Sequence, residues 1–152
     1  MDTVCEGLFR EEGPHHVGLV GDSGSGKTTA ASEIVRSSEV QQFFSDGIVW
    51  LSVDKGAKAR LPSLMLDLAR MVYEDIGGSL GKPPSSTKSG AGYTKDLMDG
   101  RHGAGKKLRC LLVADNVWEK KVVSRLRKTG MWVLTTTRDE RLVEGGCGEA
   151  VV

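Results

Sequence analysis

The sequence predicts one α/β domain built on a parallel sheet with helices on both faces, and three observations predict it. Short apolar runs alternate with helical patterns along the chain, the rhythm of successive βαβ units. The apolar runs are rich in Val, Ile and Leu and nearly continuous, as strands buried on both faces require. A length of 152 residues with 39% apolar content suits a single core of ordinary size.

In chain order, the first strand is His16 to Val20, followed by a glycine-rich turn and a helix from about Lys27 to Ser37. The second strand is Gly47 to Val53, where Ile48, Val49, Leu51 and Val53 fill a buried sheet. Pro62 then suits a first helical turn, and Leu61, Leu64, Met65, Leu68 and Val72 form one apolar stripe at helical spacing. Gly77 to Gly92 reads GGSLGKPPSSTKSGAG, a composition too rich in Gly, Pro and Ser to offset the entropy of ordering. A flexible surface loop over 77–93 is expected there. A short helix around Thr94 to Met98 leads to a third strand, Arg109 to Ala114, and a helix from about Val117 to Lys128 follows. A fourth strand, Trp132 to Thr136, and a terminal Glu149 to Val152 that opens a fifth complete the pattern.

Charge and cysteine usage narrow the function classes. Lysine and arginine (21) nearly cancel aspartate and glutamate (20), so no overall field attracts nucleic acid or an anionic membrane. The basic residues Arg101, Arg109, Lys120, Lys121, Arg125, Arg127 and Lys128 lack interleaved aromatics and read as solvated charges. Cys5, Cys110 and Cys147 are odd in number and scattered, which suits a reducing compartment, and no Cys-x-x-Cys spacing suggests a metal. Met1 starts no charged-then-apolar leader and no apolar run approaches the roughly 20 residues that span a bilayer, so a cytoplasmic protein is expected.

The chemistry-bearing segment is Gly21-Asp22-Ser23-Gly24-Ser25-Gly26-Lys27-Thr28, which fits G-x-x-x-x-G-K-[ST] between a strand and a helix. Glycines let the backbone curl so that successive N–H groups face phosphate oxygens, and the helix N-terminus adds partial positive charge. Lys27 reaches the β- and γ-phosphates, the Thr28 hydroxyl helps complete the shell of Mg²⁺, and Thr29 closes the loop's binding segment. Leu111-Leu112-Val113-Ala114-Asp115 is an apolar strand ending in a carboxylate, the acidic partner that a hydrated magnesium needs. ATP or ADP with Mg²⁺ is therefore the expected ligand, with Thr28 and Asp115 on the metal. Gly103-Ala104-Gly105-Lys106-Lys107 superficially resembles the phosphate loop but precedes a strand, and reads as a turn.

Four blocks resemble the nucleotide-binding subdomain of the NB-ARC family, the STAND-type P-loop NTPases of signal transduction that include plant disease-resistance proteins and animal apoptosome adaptors. They are VGLVGDSGSGKTTAASEIV, FFSDGIVWLSV with Trp50, RCLLVADNVW with Trp118, and WVLTTTRDERL. The resemblance covers nearly the whole chain, 1–152, and implies a three-layer P-loop sandwich with a five-stranded parallel sheet of order 5-1-4-3-2. It implies that Arg138, at the end of the fourth strand, senses the terminal phosphate, a role that an arginine beside Asp115 can fill by pairing with phosphate oxygens. Trp50 and Trp118 are expected to pack the core.

Two departures qualify the resemblance. The family usually carries a second aspartate after the first, regarded as the water-activating residue, where this chain has Asn116. An amide orients water through its carbonyl but accepts no proton at neutral pH, so at most a slow ATPase is expected, with Asn116 and Arg138 as its catalytic candidates. The helical and winged-helix subdomains, with their GLPL and MHD motifs, are not in this sequence. The resemblance thus implies a switch that exchanges ADP for ATP, working with other domains of a longer parent chain and self-associating on activation, without nucleic-acid or membrane partners. The alternative is a small-molecule or nucleotide kinase, although Gly77 to Gly92 holds lysines and no lid arginine. A module that has lost nucleotide binding fits less well, because Lys27, Thr28 and Asp115 are all present.

Overall fold

The computed structural model describes residues 2–12, 15–77, 84–101, 106–143 and 148–151. In it the apolar runs become strands β1 (His16–Val20), β2 (Gly47–Ser52), β3 (Cys110–Val117), β4 (Trp132–Thr137) and β5 (Gly148–Val151). Every pairing is parallel, and the order is β2-β3-β4-β1-β5. This is the expected order read from the other edge, with the Asp115 strand kept from β1 by β4. Direct pairing of those two strands would have placed the domain with kinases and GTPases.

Helices α1 (Asp2–Leu8), α2 (Lys27–Arg36) and α3 (Ser38–Phe43) cover one face, and α4 (Leu61–Val72), α5 (Thr87–Met98) and α6 (Lys120–Arg127) cover the other. Alternation along β3 feeds both cores. Leu111 and Val113 pack with Val4, Leu8, Ala31, Ile34 and Val40, while Leu112 and Ala114 pack with Leu64, Leu68, Leu97 and Leu126. The stripe on α4 is buried as its spacing predicts, with Pro62 in the first turn.

Three elements differ from the sequence reading. The flexible loop expected over 77–93 is corrected at its far end, because α5 already begins at Thr87 and not near Thr94; residues 78–83 lie outside the described part. Two glycines inside a helix each cost about 1 kcal/mol relative to alanine, yet one of them permits close packing: a Cβ on Gly90 would stand 2.9 Å from Leu66 Cδ1 and 3.2 Å from Leu66 Cα, whereas Gly92 faces open space. Burial of Tyr93, Leu97 and Met98 then holds the helix. Helices α1 and α3 were not anticipated. The latter is capped by Ser37, whose hydroxyl accepts the Val40 N–H at 3.4 Å, and it delivers Phe43 and Phe44 to edge-on contacts with Trp132. Finally β3 runs to Val117, where a helix was expected, and α6 starts only at Lys120. The glycines of the second basic segment, Val152 and Cys147 fall outside the described residues.

Candidate nucleotide site

Beyond the carboxyl edge of the sheet, the turn after β1 opens a cavity of about 570 Å³ lined by Ser23, Gly24, Gly26, Lys27, Thr28 and Thr29 on one side. Asp54, Asp115, Asn116, Trp118, Thr136 and Arg138 line the other. Gly24 and Gly26 take φ of 79° and 91°, a left-handed backbone that favours glycine and lets the loop fold over its own amides. The Gly21 N–H is anchored to the Thr137 carbonyl at 3.2 Å, and the Asp22 carbonyl accepts the Ser25 N–H at 3.1 Å. Lys27 Nζ donates to the same carbonyl at 2.7 Å, so the ammonium already lies along the loop. Gly21, Asp22 and Ser25 hold the shape of the loop through these bonds, while the other expected loop residues line the cavity.

Sequence-distant residues meet on Asp115. Its Oδ1 accepts the Thr28 hydroxyl at 3.0 Å and the Thr136 hydroxyl at 2.5 Å. The means is a β-bulge: Ala114 pairs with Thr135 and Val117 with Thr137, so Asp115 and Asn116 together oppose Thr136 alone. Asn116 occupies the left-handed region at φ 63°, which asparagine tolerates better than most residues, and its N–H donates to Thr136 Oγ1 at 2.7 Å. A single buried threonine thus fixes both the carboxylate and the bulge beside it.

The side chain of Asn116 is held at both ends. An indole N–H only donates and a carboxylate only accepts, so the amide oxygen takes Trp118 Nε1 at 2.9 Å and the amide nitrogen gives to Asp54 Oδ1 at 3.0 Å. One lone pair of that carbonyl is therefore taken by Trp118. Trp118 is placed differently than expected. It lines the cavity and not the core, with Lys55 Nζ 5.4 Å and the Arg138 guanidinium 5.5 Å from its ring centroid. Trp50, by contrast, packs against the core as expected. Arg138 lies on the cavity wall, and the turn behind it is held by Arg141, whose hydrogen bonds keep the Asp139 carboxyl below the usual carboxylate range.

Asp54 and Thr136 were missed. Thr136 carries a faint sequence signal, the run of threonines ending β4, but only strand pairing shows which one meets Asp115. For Asp54 there is no local signal, since its partner lies 62 positions away.

The residues present fit a nucleotide with its metal. Ser25 Oγ is buried without a partner among the described residues, a spare hydroxyl in a loop that otherwise offers backbone amides. Thr28 gives its proton to Asp115 and so keeps its lone pairs for a cation. Among the described residues no cluster of His, Cys, Asp and Glu could hold a metal unaided.

Fold and site together define a P-loop nucleotide-binding domain. Comparison with known families matches the NB-ARC domain over residues 1–149, and the chain belongs to that family. It is 33% identical to apoptotic protease-activating factor 1 of Danio rerio, over 97% of this chain and 12% of that protein. A probable disease resistance protein of Arabidopsis thaliana is 29% identical, over 81% of this chain and 12% of the relative. The chain thus spans about an eighth of the length of these relatives. Among the described residues no helix is long and apolar enough to cross a membrane.

Proposed function

We propose that this domain holds ADP or ATP with Mg²⁺ and serves as a signalling switch inside a longer parent chain, with slow hydrolysis. The observation that carries this reading is the Thr28–Asp115 hydrogen bond of 3.0 Å, which joins the end of the phosphate loop to the end of β3 across 87 positions of sequence. Thr28 and Asp115 would hold the metal, which supplies charge neutralisation at the phosphates. The loop amides and Lys27 bind and orient the phosphate chain. Arg138 reads the terminal phosphate: a guanidinium on the cavity wall finds a strong bidentate partner when that group is present and loses it when it is absent. Nucleotide identity then biases the arrangement of the neighbouring domains, and the activated parent self-associates.

Thermal unfolding with and without Mg-ADP tests the binding. Ligand at about 100 times its Kd should add about 2.7 kcal/mol to the native state. Lys27→Ala should remove most of that gain, and an undiminished gain in the variant would count against the phosphate-loop reading.

A further inference from the structure

One acidic side chain in the cavity, Asp54, makes no hydrogen bond to the phosphate loop or to Asp115 among the described residues. Asp54 follows β2, where Ser52 pairs with Asp115 and the Val53 N–H donates to the Asp115 carbonyl at 2.9 Å. The chain therefore leaves the sheet directly beside the bulge. Asp54 takes φ 66° there, a left-handed conformation that favours glycine and, among other residues, asparagine and aspartate. Among the described residues its carboxylate does not cap the helical turn that follows. Oδ1 accepts from Asn116, and Oδ2 has no hydrogen-bond partner among the described residues, although the residue shares the cavity with Lys27, Thr28, Asp115 and Arg138.

The hydrogen bonds run in one direction, from Trp118 to Asn116 to Asp54. Because each donor and acceptor is chemically forced, the amide of Asn116 can only present its N–H₂ to the carboxylate. Asparagine at this place orients a carboxylate while being none itself.

Resting on the reading that the cavity binds ATP, we propose that Asp54 is the proton acceptor for hydrolysis and that Asn116 is the positioning residue that aims it. In the step, the water oxygen bonds to the terminal phosphorus as the bond from that phosphorus to the bridging oxygen breaks. The electron pair of that bond leaves with ADP, and the water proton passes to Asp54 Oδ2. The carboxylic acid so formed then releases its proton to solvent.

The test compares Asp54→Asn with the unaltered chain in single-turnover hydrolysis of Mg-ATP and in titrations with ADP and a non-hydrolysable ATP analogue. The rate should fall about 100-fold, within the range a positioned base supplies. Affinity for ADP should stay the same while the analogue binds about threefold tighter, because a negative charge facing the terminal phosphate is gone. Asp54→Gly, whose glycine adopts the left-handed turn freely, should lose the rate equally and shows that folding is not the cause. Asn116→Ala, which no longer aims the Asp54 carboxylate, should lower the single-turnover rate while leaving the affinity for ADP and for the analogue as in the unaltered chain. An unchanged rate in any of the three variants, equal affinity shifts for ADP and analogue in Asp54→Asn, or an unaltered chain that binds ATP but never turns it over would each overturn the assignment. Failure of that chain to bind either nucleotide would instead sink the nucleotide reading itself.

Discussion

Replacing Thr136 by valine should be among the most damaging changes at the site, although it keeps the side chain's shape. The buried hydroxyl donates to Asp115 at 2.5 Å and accepts the Asn116 N–H at 2.7 Å. A hydrogen bond to a charged group is worth about 1.5–3 kcal/mol and a neutral one about 0.5–1.5 kcal/mol, and the orphaned N–H adds a penalty where water cannot reach it. The expected loss is about 2–4 kcal/mol, or roughly 5–15 °C in Tm for a domain of this size. Urea unfolding measures it, and Thr136→Ser should restore most of the loss because it keeps the hydroxyl. Stabilisation by Mg-ADP should shrink as well, since Asp115 is no longer aimed. A valine variant within about 0.5 kcal/mol of the parent, the usual range for inconsequential substitutions, would refute the claim that this hydroxyl pins the bulge.

Three further outcomes follow from burial. His16 is buried with Nε2 2.9 Å from Thr135 Oγ1, and burial, aided by the positive charge of Arg127, pushes its pKa down from 6.5 to about 4. The unfolded chain binds that proton first as pH falls, so stability should drop between about pH 6.5 and pH 4 by up to roughly 3 kcal/mol and then level; denaturation of His16→Gln across the same range should lack that slope. Cys110 is buried and its thiol is pushed up to about 12 by burial and then by the nearby Asp46, so a thiol reagent at pH 8 should label it only on unfolding, and rapid labelling of the native protein would contradict the packing. In Gly18→Ala the new Cβ would lie 1.8 Å from Val143 Cγ1, and displacing the turn that follows Arg138 should cost about 1–3 kcal/mol, read as a lower urea midpoint.

The phosphate loop was legible because its chemistry is local. Gly24 and Gly26 supply left-handed backbone, and Lys27 and Thr28 follow within one helical turn, so eight consecutive residues define the cradle. Strands β1 to β4 were legible for a similar reason, since burial on both faces writes a continuous apolar run into each. Helix α5 was not, because Gly90, one of the glycines that suggest a loop, serves the approach of Leu66 from another helix.

What the sequence determined by itself is the set of local conformations and the identity of the phosphate-binding groups, both governed by neighbours within a few residues. Tertiary structure alone decided which groups meet. Pairing of β3 with β4 opposes Asp115 and Asn116 to Thr136, and the register of β2 against β3 brings Asp54 to Asn116. The same bulge turns Trp118 from the core into the cavity beside Arg138. A parallel sheet joins residues far apart in sequence, and a one-residue shift in register reverses which side chains face each side. The charges that surround the nucleotide cavity are therefore chosen by strand pairing, a global outcome that no stretch of the chain encodes alone.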